Sequence, residues 1–242
     1  MVEVNSKAAE DAAFAAGETI VIRTDLLNKT PNLLFNMDGI NGSTDIYSQD
    51  AKGNQVTVIG SAQLSSSFKK FGRSSMLTAV GGYLKCTKNT DMSFSGDFTI
   101  EGYVKLNYSN DGKWTFLVSF GQAGILNTAW YVAIMNTTII FSALNNTVAI
   151  NATYPPNSDL TNFHHVSLNR VGTTTALYVD GVQLGVTEVT PYNGVGDLYI
   201  GGWNYTTANT QGAYLDDWVY TSGYALRTED FSTSLPYLPH RL

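Results

Sequence analysis

Glu101 is the residue whose type and setting come nearest to a catalytic group. It lies in the segment GDFTIEGYVKL at 96–106, where apolar and polar residues alternate. Retaining glycoside hydrolysis needs two carboxylates about 5–5.5 Å apart, a separation that residues i and i+2 of one strand provide. Thr99 and Tyr103 occupy those two positions. The second carboxylate is missing, and we expect Glu101 to be either a solvated strand residue or a glycan contact.

The pair His164 and His165 raises the question of a metal site or a general base. Adjacent residues of a strand point to opposite faces, so the two imidazoles cannot chelate one ion from a regular strand. His164 shares the parity of Val166 and Leu168, which predicts a buried, hydrogen-bonded imidazole. Cys86 is the single cysteine, and its phrase GGYLKC indicates a packed or half-exposed thiol rather than a nucleophile. We therefore predict no catalytic residues and no enzymatic activity.

The segments that carry these residues have the two-residue period of β-strands. Residues 96–106 alternate as a half-buried strand does, and FHHVSLNR at 163–170 follows the same rule. Residues 176–184 form a hairpin pattern whose Asp180-Gly181 pair fits a two-residue type I′ turn. Many short strands separated by turn signals predict an all-β fold, a two-sheet antiparallel jelly-roll sandwich.

Residues 1–30 differ from the rest of the chain. Ser6 can cap a short Ala-rich helix over 7–16, and Gly17 supplies its stop. The Ile-Val-Ile run at 20–22 is a short strand candidate. We interpret residues 1–30 as an N-terminal arm that docks on the domain or on another chain, with a frayed terminus as the alternative.

The C-terminal end is predicted to form a short tail over residues 236–242. Pro236 and Pro239 exclude a regular helix or a central strand there. The sandwich domain is accordingly assigned to residues 31–235.

The charge balance argues against nucleic acid as a partner. The 242-residue chain has 14 Lys and Arg against 20 Asp and Glu, a net charge of −6. Phosphate binding needs clustered cations, and no such cluster is visible in the sequence. Nor does any run have the apolar length of a signal peptide or a membrane span. We expect a chain made in the cytoplasm and not inserted into a membrane.

Aromatic residues form the candidate site for carbohydrate. Glycan binding requires exposed rings for stacking beside hydrogen-bonding amides and carboxylates. The rings that lie in or beside loop-like segments are the candidates: Trp114, Tyr131, Trp203 and Tyr205. A place in the core is the alternative for each ring, because aromatics of a sandwich are mostly core residues.

The β-rich phrases occur in a characteristic order. They are LLFNMDG at 33–39, KFGRSSMLTAVGGYLKC at 70–86, GDFTIEGYVKL at 96–106, FHHVSLNRVGTTTALYVDGVQLG at 163–185, LYIGGW at 198–203 and YLDDWVY at 214–220. The series resembles the laminin G-like domains of the concanavalin A-like superfamily, and especially those of bacteriophage structural proteins. It departs from them at Tyr103 and Phe163, where the family has Trp.

The resemblance implies a non-enzymatic structural protein of a phage virion, either a capsid decoration protein or a tail or fibre component. Such a protein would be located in the virion after synthesis in the host cytoplasm. Its partners would be other virion proteins, or further copies of itself, contacted through the N-terminal arm, and surface glycans. The alternative is a carbohydrate-binding lectin or adhesion module that is not tied to a virion.

The resemblance also implies one structural Ca²⁺ near the edge of the sandwich. Relatives draw its ligands from an early Asp-Gly loop and from a late Asp-Asp phrase. These correspond to Asp38, with Asn41 nearby, and to Asp216 or Asp217. Oxygen ligands of this kind suit a hard cation. A plain turn is the alternative for Asp38-Gly39.

Overall fold

The computed structural model describes residues 2–4, 20–22, 30–50, 54–107, 112–121, 128–144, 147–154, 162–203 and 211–231. These residues contain β-strands and no helix. In chain order the strands are β1 (Val2–Val4), β2 (Ile20–Ile22), β3 (Leu33–Phe35), β4 (Val56–Ile59), β5 (Gln63–Ser65), β6 (Ser75–Leu77), β7 (Tyr83–Cys86), β8 (Phe98–Leu106), β9 (Trp114–Gly121), β10 (Ala129–Met135), β11 (Thr138–Leu144), β12 (Thr147–Thr153), β13 (His164–Val171), β14 (Thr174–Val179), β15 (Val182–Thr187), β16 (Asp197–Ile200) and β17 (Ala213–Ser222).

The strands from β3 onward form two antiparallel sheets. The seven-stranded sheet has the order β12-β11-β10-β9-β16-β7-β4. The eight-stranded sheet has the order β15-β14-β13-β8-β17-β6-β5, and β3 also pairs with β17. The two sheets pack face to face as a sandwich. The predicted all-β, two-sheet antiparallel fold is confirmed, and it is consistent with a jelly roll.

The predicted hairpin is present between β14 and β15. Asp180 has a φ of 48° and Gly181 a φ of 78°, both positive, as a type I′ turn requires. The Asp180 carboxylate also accepts a hydrogen bond from the His165 N–H at 2.9 Å and lies 2.7 Å from His164 Nδ1. His164 is therefore hydrogen-bonded as predicted, although it is half-buried rather than fully buried.

The core lies between the sheets and is filled by alternate residues of their strands. On β8, Phe98, Ile100 and Val104 face it. Gly102 has the same parity, and a Cβ at this position would lie 2.5 Å from the Trp218 ring. Glycine is therefore needed here for the Trp218 indole to pack across the strand.

The opposite face of β8 is also buried, which corrects the prediction of a half-buried strand. Its outward side chains are at most 5% exposed: Thr99, Glu101, Tyr103 and Lys105. Residues 223–231, here called the C-terminal cover, lie over this face. The ring of Phe231 is 5.3 Å from that of Tyr178 and 5.7 Å from that of His165. The alternation of apolar and polar residues within β8 does not indicate that a third layer covers its outer face.

The described part of the N-terminal arm consists of β1 and β2, which pair in parallel with Val2 opposite Ile20. The predicted strand at Ile20–Ile22 is confirmed. The predicted helix over 7–16 and the tail over 236–242 lie outside the described residues, so the proposed domain boundaries stay predictions. No helix in the described ranges is long and apolar enough to cross a membrane.

Candidate functional site

Four aromatic rings lie together on the outer surface of the seven-stranded sheet. Trp114 and Phe116 come from β9, Tyr131 comes from β10, and Trp203 follows β16. The centroids of Tyr131 and Trp203 are 4.8 Å apart. Phe116 lies 5.0 Å from Trp203 and 5.3 Å from Tyr131, and Trp114 lies 6.4 Å from Phe116. We call these four residues the outer aromatic cluster.

A β-bulge in β9 turns Phe116 to this surface. Phe116 and Val118 pair with two consecutive residues of β10, so Leu117 has no residue opposite it. Leu117 and Val118 consequently both face the core, whereas Phe116 faces outward with the cluster. Bulges re-aim side chains in this way. Strict alternation would have placed Phe116 on the core side together with Val118.

Two glycines bring Trp203 to the cluster. Gly201 has a φ of 82°, a left-handed conformation that glycine adopts without cost. A Cβ on Gly202 would lie 2.7 Å from Tyr83, so this position also excludes a side chain. The carbonyl of Gly202 accepts a hydrogen bond from Ser119 Oγ at 2.9 Å. The segment is thus fixed to β9, and the indole of Trp203 is held against its neighbours.

The cluster has a buried base and an exposed rim. Phe116 and Tyr131 are 7% and 9% exposed, whereas Trp114 and Trp203 are half-buried. The two indoles therefore present part of their flat apolar surface to solvent. Such a plate is chemically suited to the C–H face of a sugar ring.

The structure thus brings together three of the four aromatic residues predicted to bind glycan. The fourth, Tyr205, lies outside the described residues. Phe116 belongs to the same cluster and was missed, because only the bulge at Leu117 separates its orientation from that of a core residue.

Two of the predicted calcium ligands, Asp38 and Asp216, bind the backbone of one loop, residues 70–74. Asp216 Oδ2 accepts hydrogen bonds from the first two N–H groups of this loop, at 2.7 and 3.0 Å. Asp38 Oδ1 accepts one from the N–H of Arg73 at 2.5 Å. Gly72 has a φ of 59°, and a Cβ there would lie 2.0 Å from the Asp38 carboxylate. Glycine at this position lets the carboxylate approach the loop.

Asp216 has the feature that best suits a cation. Its Oδ1 is buried and accepts no hydrogen bond from any described residue. Burial, together with the negative charges of Asp217 and Asp38, raises the pKa of Asp216 to about 7, although its backbone hydrogen bonds oppose the shift. Asp217 lies at an irregularity of β17 and has a φ of 50°. A divalent cation near Asp216 would relieve this repulsion.

Asn41 Oδ1 accepts a hydrogen bond from the N–H of Ser66 at 3.0 Å, and its role as a ligand stays a prediction. Within the part of the chain that the structure describes, no group of three or more His, Cys, Asp or Glu side chains is placed to hold a metal ion. Ca²⁺ takes six to eight oxygen ligands. Asp38 and Asp216 would supply part of that shell, and the calcium site stays a prediction.

The sequence comparison identifies the fold family. Residues 78–229, more than half of the chain, match the laminin G-type family described as the concanavalin A-like lectin/glucanases superfamily. The chain belongs to this family. The superfamily resemblance is therefore confirmed, while the narrower similarity to phage structural proteins stays a prediction. A search of curated proteins finds no match.

Solved structures with a similar fold include binding domains of botulinum neurotoxins. A receptor binding domain aligns with a TM-score of 0.64 at 15% identity, over 86% of this chain and 51% of its own. The binding domain of serotype D aligns with a TM-score of 0.60 at 14% identity, over 84% of this chain and 51% of its own. A structure of botulinum neurotoxin type C aligns with a TM-score of 0.60 at 12% identity, over 82% of this chain and 49% of its own. The cell entry of that toxin is described as dependent on interaction with two ganglioside molecules. The chain spans about half the length of these structures, and at such identities they show the fold alone.

The family description includes glucanases, so the surroundings of Glu101 bear on its chemistry. Glu101 is 0% exposed. Its Oε1 accepts a hydrogen bond from Arg227 Nη2 at 3.2 Å, and its Oε2 accepts one from Ser167 Oγ at 3.0 Å. His165 Nε2, also buried, lies 3.7 Å from Oε2. Both predicted roles of Glu101, a solvated residue and a glycan contact, are wrong, because the C-terminal cover excludes water and supplies an arginine partner.

The other residues considered for chemistry are packed or hydrogen-bonded within the domain. The two imidazoles point to opposite faces of β13 as predicted, His164 towards the ring of Tyr154 and His165 towards that of Tyr103. Cys86 is fully buried in the core, and burial raises the pKa of its thiol well above the ordinary value. The prediction of a packed thiol is confirmed.

Proposed function

We propose that this domain is a non-catalytic lectin-type module that binds a glycan on the outer aromatic cluster. The observation that carries the proposal is the pair of half-buried indoles, Trp114 and Trp203, on a buried aromatic base. Large rings that are rigidly supported and only partly covered are the side chains that dominate binding surfaces. The ganglioside dependence described for the type C neurotoxin structure supports a saccharide as the class of ligand.

Binding to an immobilised glycan panel tests this function, with Trp203→Ala as the variant. We expect the variant to lose affinity by about 2 kcal/mol, or about thirtyfold, which is typical of an aromatic anchor. Tyr47→Ala is the matched control, because Tyr47 is 63% exposed and is not a member of the cluster. Equal binding by both variants and the wild type would exclude the cluster as the site.

The absence of catalysis is part of the proposal. The buried ion pair of Glu101 with Arg227 supports it, because a carboxylate that water does not reach cannot activate water or protonate a leaving group. Incubation with β-glucans, followed by a reducing-end assay, should show no release above background. Release that disappears in Glu101→Gln would refute this.

A structural Ca²⁺ at Asp38 and Asp216 is proposed as an accessory to the fold. The ion would supply positive charge to the carboxylates that share the 70–74 loop and would accept the lone pairs of Asp216 Oδ1. The buried oxygen atom and the raised pKa of Asp216 support this assignment.

Placement in a phage virion is the narrower proposal, and it is supported by the order of the β-rich phrases in the sequence. Mass spectrometry of purified particles from the organism that encodes the chain tests it. Peptides of this chain in the particle fraction are the expected result. Their absence from particles, with the chain present in the lysate, would leave the lectin or adhesion module that is not tied to a virion.

A further inference from the structure

A pocket of about 390 Å³ opens on the outer side of the eight-stranded sheet, on the opposite side of the sandwich from the outer aromatic cluster. Three lysines line it: Lys69, Lys70 and Lys105. Two phenylalanines, a serine and an amide complete the lining: Phe68, Phe163, Ser67 and Asn162. We call this site the lysine pocket. Its volume lies within the range of about 300–1,000 Å³ that is usual for small-ligand sites.

The fold assembles the lysine pocket from separate parts of the chain. Lys105 belongs to β8 and points away from the core. Lys70 is the first residue of the 70–74 loop and donates its backbone N–H to Asp216, and Lys69 lies directly before it. Lys105 Nζ lies 4.4 Å from the centroid of the Phe68 ring. Lys69 and Lys70 are neighbours in the sequence, and the fold brings Lys105 of β8 to the same pocket.

The pocket concentrates positive charge in an acidic chain. Among the described residues, neither Lys69 nor Lys70 forms a salt bridge. The nearby carboxylate of Asp216 binds backbone N–H groups of the loop rather than a lysine ammonium. The like charges of Lys69 and Lys70 at one small pocket repel each other unless an anion lies between them. The pocket therefore has the electrostatics of an anion site.

We propose that the lysine pocket binds the carboxylate or sulfate group of an acidic saccharide. The ammonium groups would hold the anion by charge-assisted hydrogen bonds. Phe68, which is 44% exposed, and the half-buried Phe163 would pack on the sugar ring. This inference deepens the proposed glycan-binding function but rests on a separate surface.

Calorimetric titration with matched saccharides tests the proposal. The probes are oligogalacturonate against its fully methyl-esterified form, and dextran sulfate against dextran, so that carboxylate and sulfate are compared separately. We expect at least one acidic probe to bind more tightly than its neutral partner, and the difference to shrink as salt is added. Lys69→Gln should weaken the acidic probe about tenfold, because a hydrogen bond to a charged group is lost. Lys70→Gln should have a similar effect.

Arg73→Gln is the charge-matched control, since Arg73 is exposed and does not line the pocket. It should change affinity by less than about twofold. Equal binding of acidic and neutral probes, or an equal loss in Arg73→Gln and Lys69→Gln, would overturn the proposal. Trp203→Ala should keep the acidic binding. If Trp203→Ala lost the binding of acidic probes, the anion would lie at the outer aromatic cluster and the proposal of the lysine pocket would be overturned. If Trp203→Ala lost the binding of neutral glycans only, the lysine pocket would stand and the result would support the proposed function.

Discussion

Replacing Arg227 by methionine would remove the cation that balances a fully buried carboxylate. Glu101 is 0% and Arg227 8% exposed, and two guanidinium nitrogens lie 3.2 and 3.3 Å from the carboxylate oxygens. In Arg227→Met the Glu101 carboxylate still accepts the hydrogen bond from Ser167 Oγ at 3.0 Å, but the positive charge of the guanidinium is gone. Breaking a buried pair from one side in this way costs about 3–5 kcal/mol.

A double-mutant cycle separates the charge from the packing of the arginine stem. Glu101→Gln added to Arg227→Met removes the unbalanced charge, so the double variant should regain about 2 kcal/mol or more of the loss. Lys85→Met is the surface control. The Lys85–Asp197 pair has a similar distance of 3.0 Å, but its side chains are 38% and 23% exposed, and such pairs contribute about 0–1 kcal/mol.

Urea unfolding followed by circular dichroism measures these differences. For a chain of this size each kcal/mol lowers the melting temperature by about 2–4 °C, so Arg227→Met should melt roughly 6–20 °C lower than the wild type. A loss as small as that of Lys85→Met, or a double variant no more stable than Arg227→Met, would refute the reasoning and show that the C-terminal cover is held by packing alone.

Three further predictions concern the loop carboxylates, the hairpin turn and the arm. Chelator should lower the unfolding midpoint of a calcium-loaded sample by mass action, and Asp216→Asn should abolish that response; an identical wild-type midpoint with and without chelator would leave Asp38-Gly39 as a plain turn. Burial by itself would raise the pKa of Asp180, but hydrogen bonds from His164 and the backbone outweigh it and hold that pKa below its usual value. Its carboxylate therefore adds stability above about pH 4 that is lost as the pH falls through its folded pKa. Asparagine also tolerates a positive φ, so Asp180→Asn should keep the turn but reduce the fall of the urea midpoint below about pH 4. An unchanged pH dependence of the midpoint in this variant would contradict the prediction. Deleting residues 1–30 should leave a folded domain with a similar melting temperature that no longer assembles, because a short arm buries little apolar surface; a truncated chain that does not fold would place the arm in the core.

The parts of the fold that were predictable are those with local causes. The Asp180-Gly181 turn depends on the φ preferences of two adjacent residues, and the strands depend on alternation within a few positions. Trp114, Tyr131 and Trp203 were identified one by one, together with Tyr205, because each lies in or beside a loop-like segment. Their mutual contacts follow from strand pairing, which single-sequence patterns do not contain.

The parts that were not predictable depend on long-range or irregular features. The burial of Glu101 requires a segment 126 residues away in sequence to fold back over β8. The outward turn of Phe116 requires one extra residue in β9, and nothing in WTFLVSFG distinguishes a bulged strand from a regular one. The lysine pocket combines two neighbouring loop residues with one from β8, so its charge density exists only in the folded chain.

The position of β17 in the eight-stranded sheet has a consequence for how the chain matures. This strand, Ala213–Ser222, lies between β8 on one side and β6 and β3 on the other. During synthesis the earlier strands of that sheet therefore emerge as two separate groups with unpaired edges facing one another. They are joined only after β17 has left the ribosome. Such late, non-local pairing slows folding and exposes apolar edges to other chains, so a translational pause or a truncation before residue 222 should yield aggregates rather than a smaller soluble sandwich.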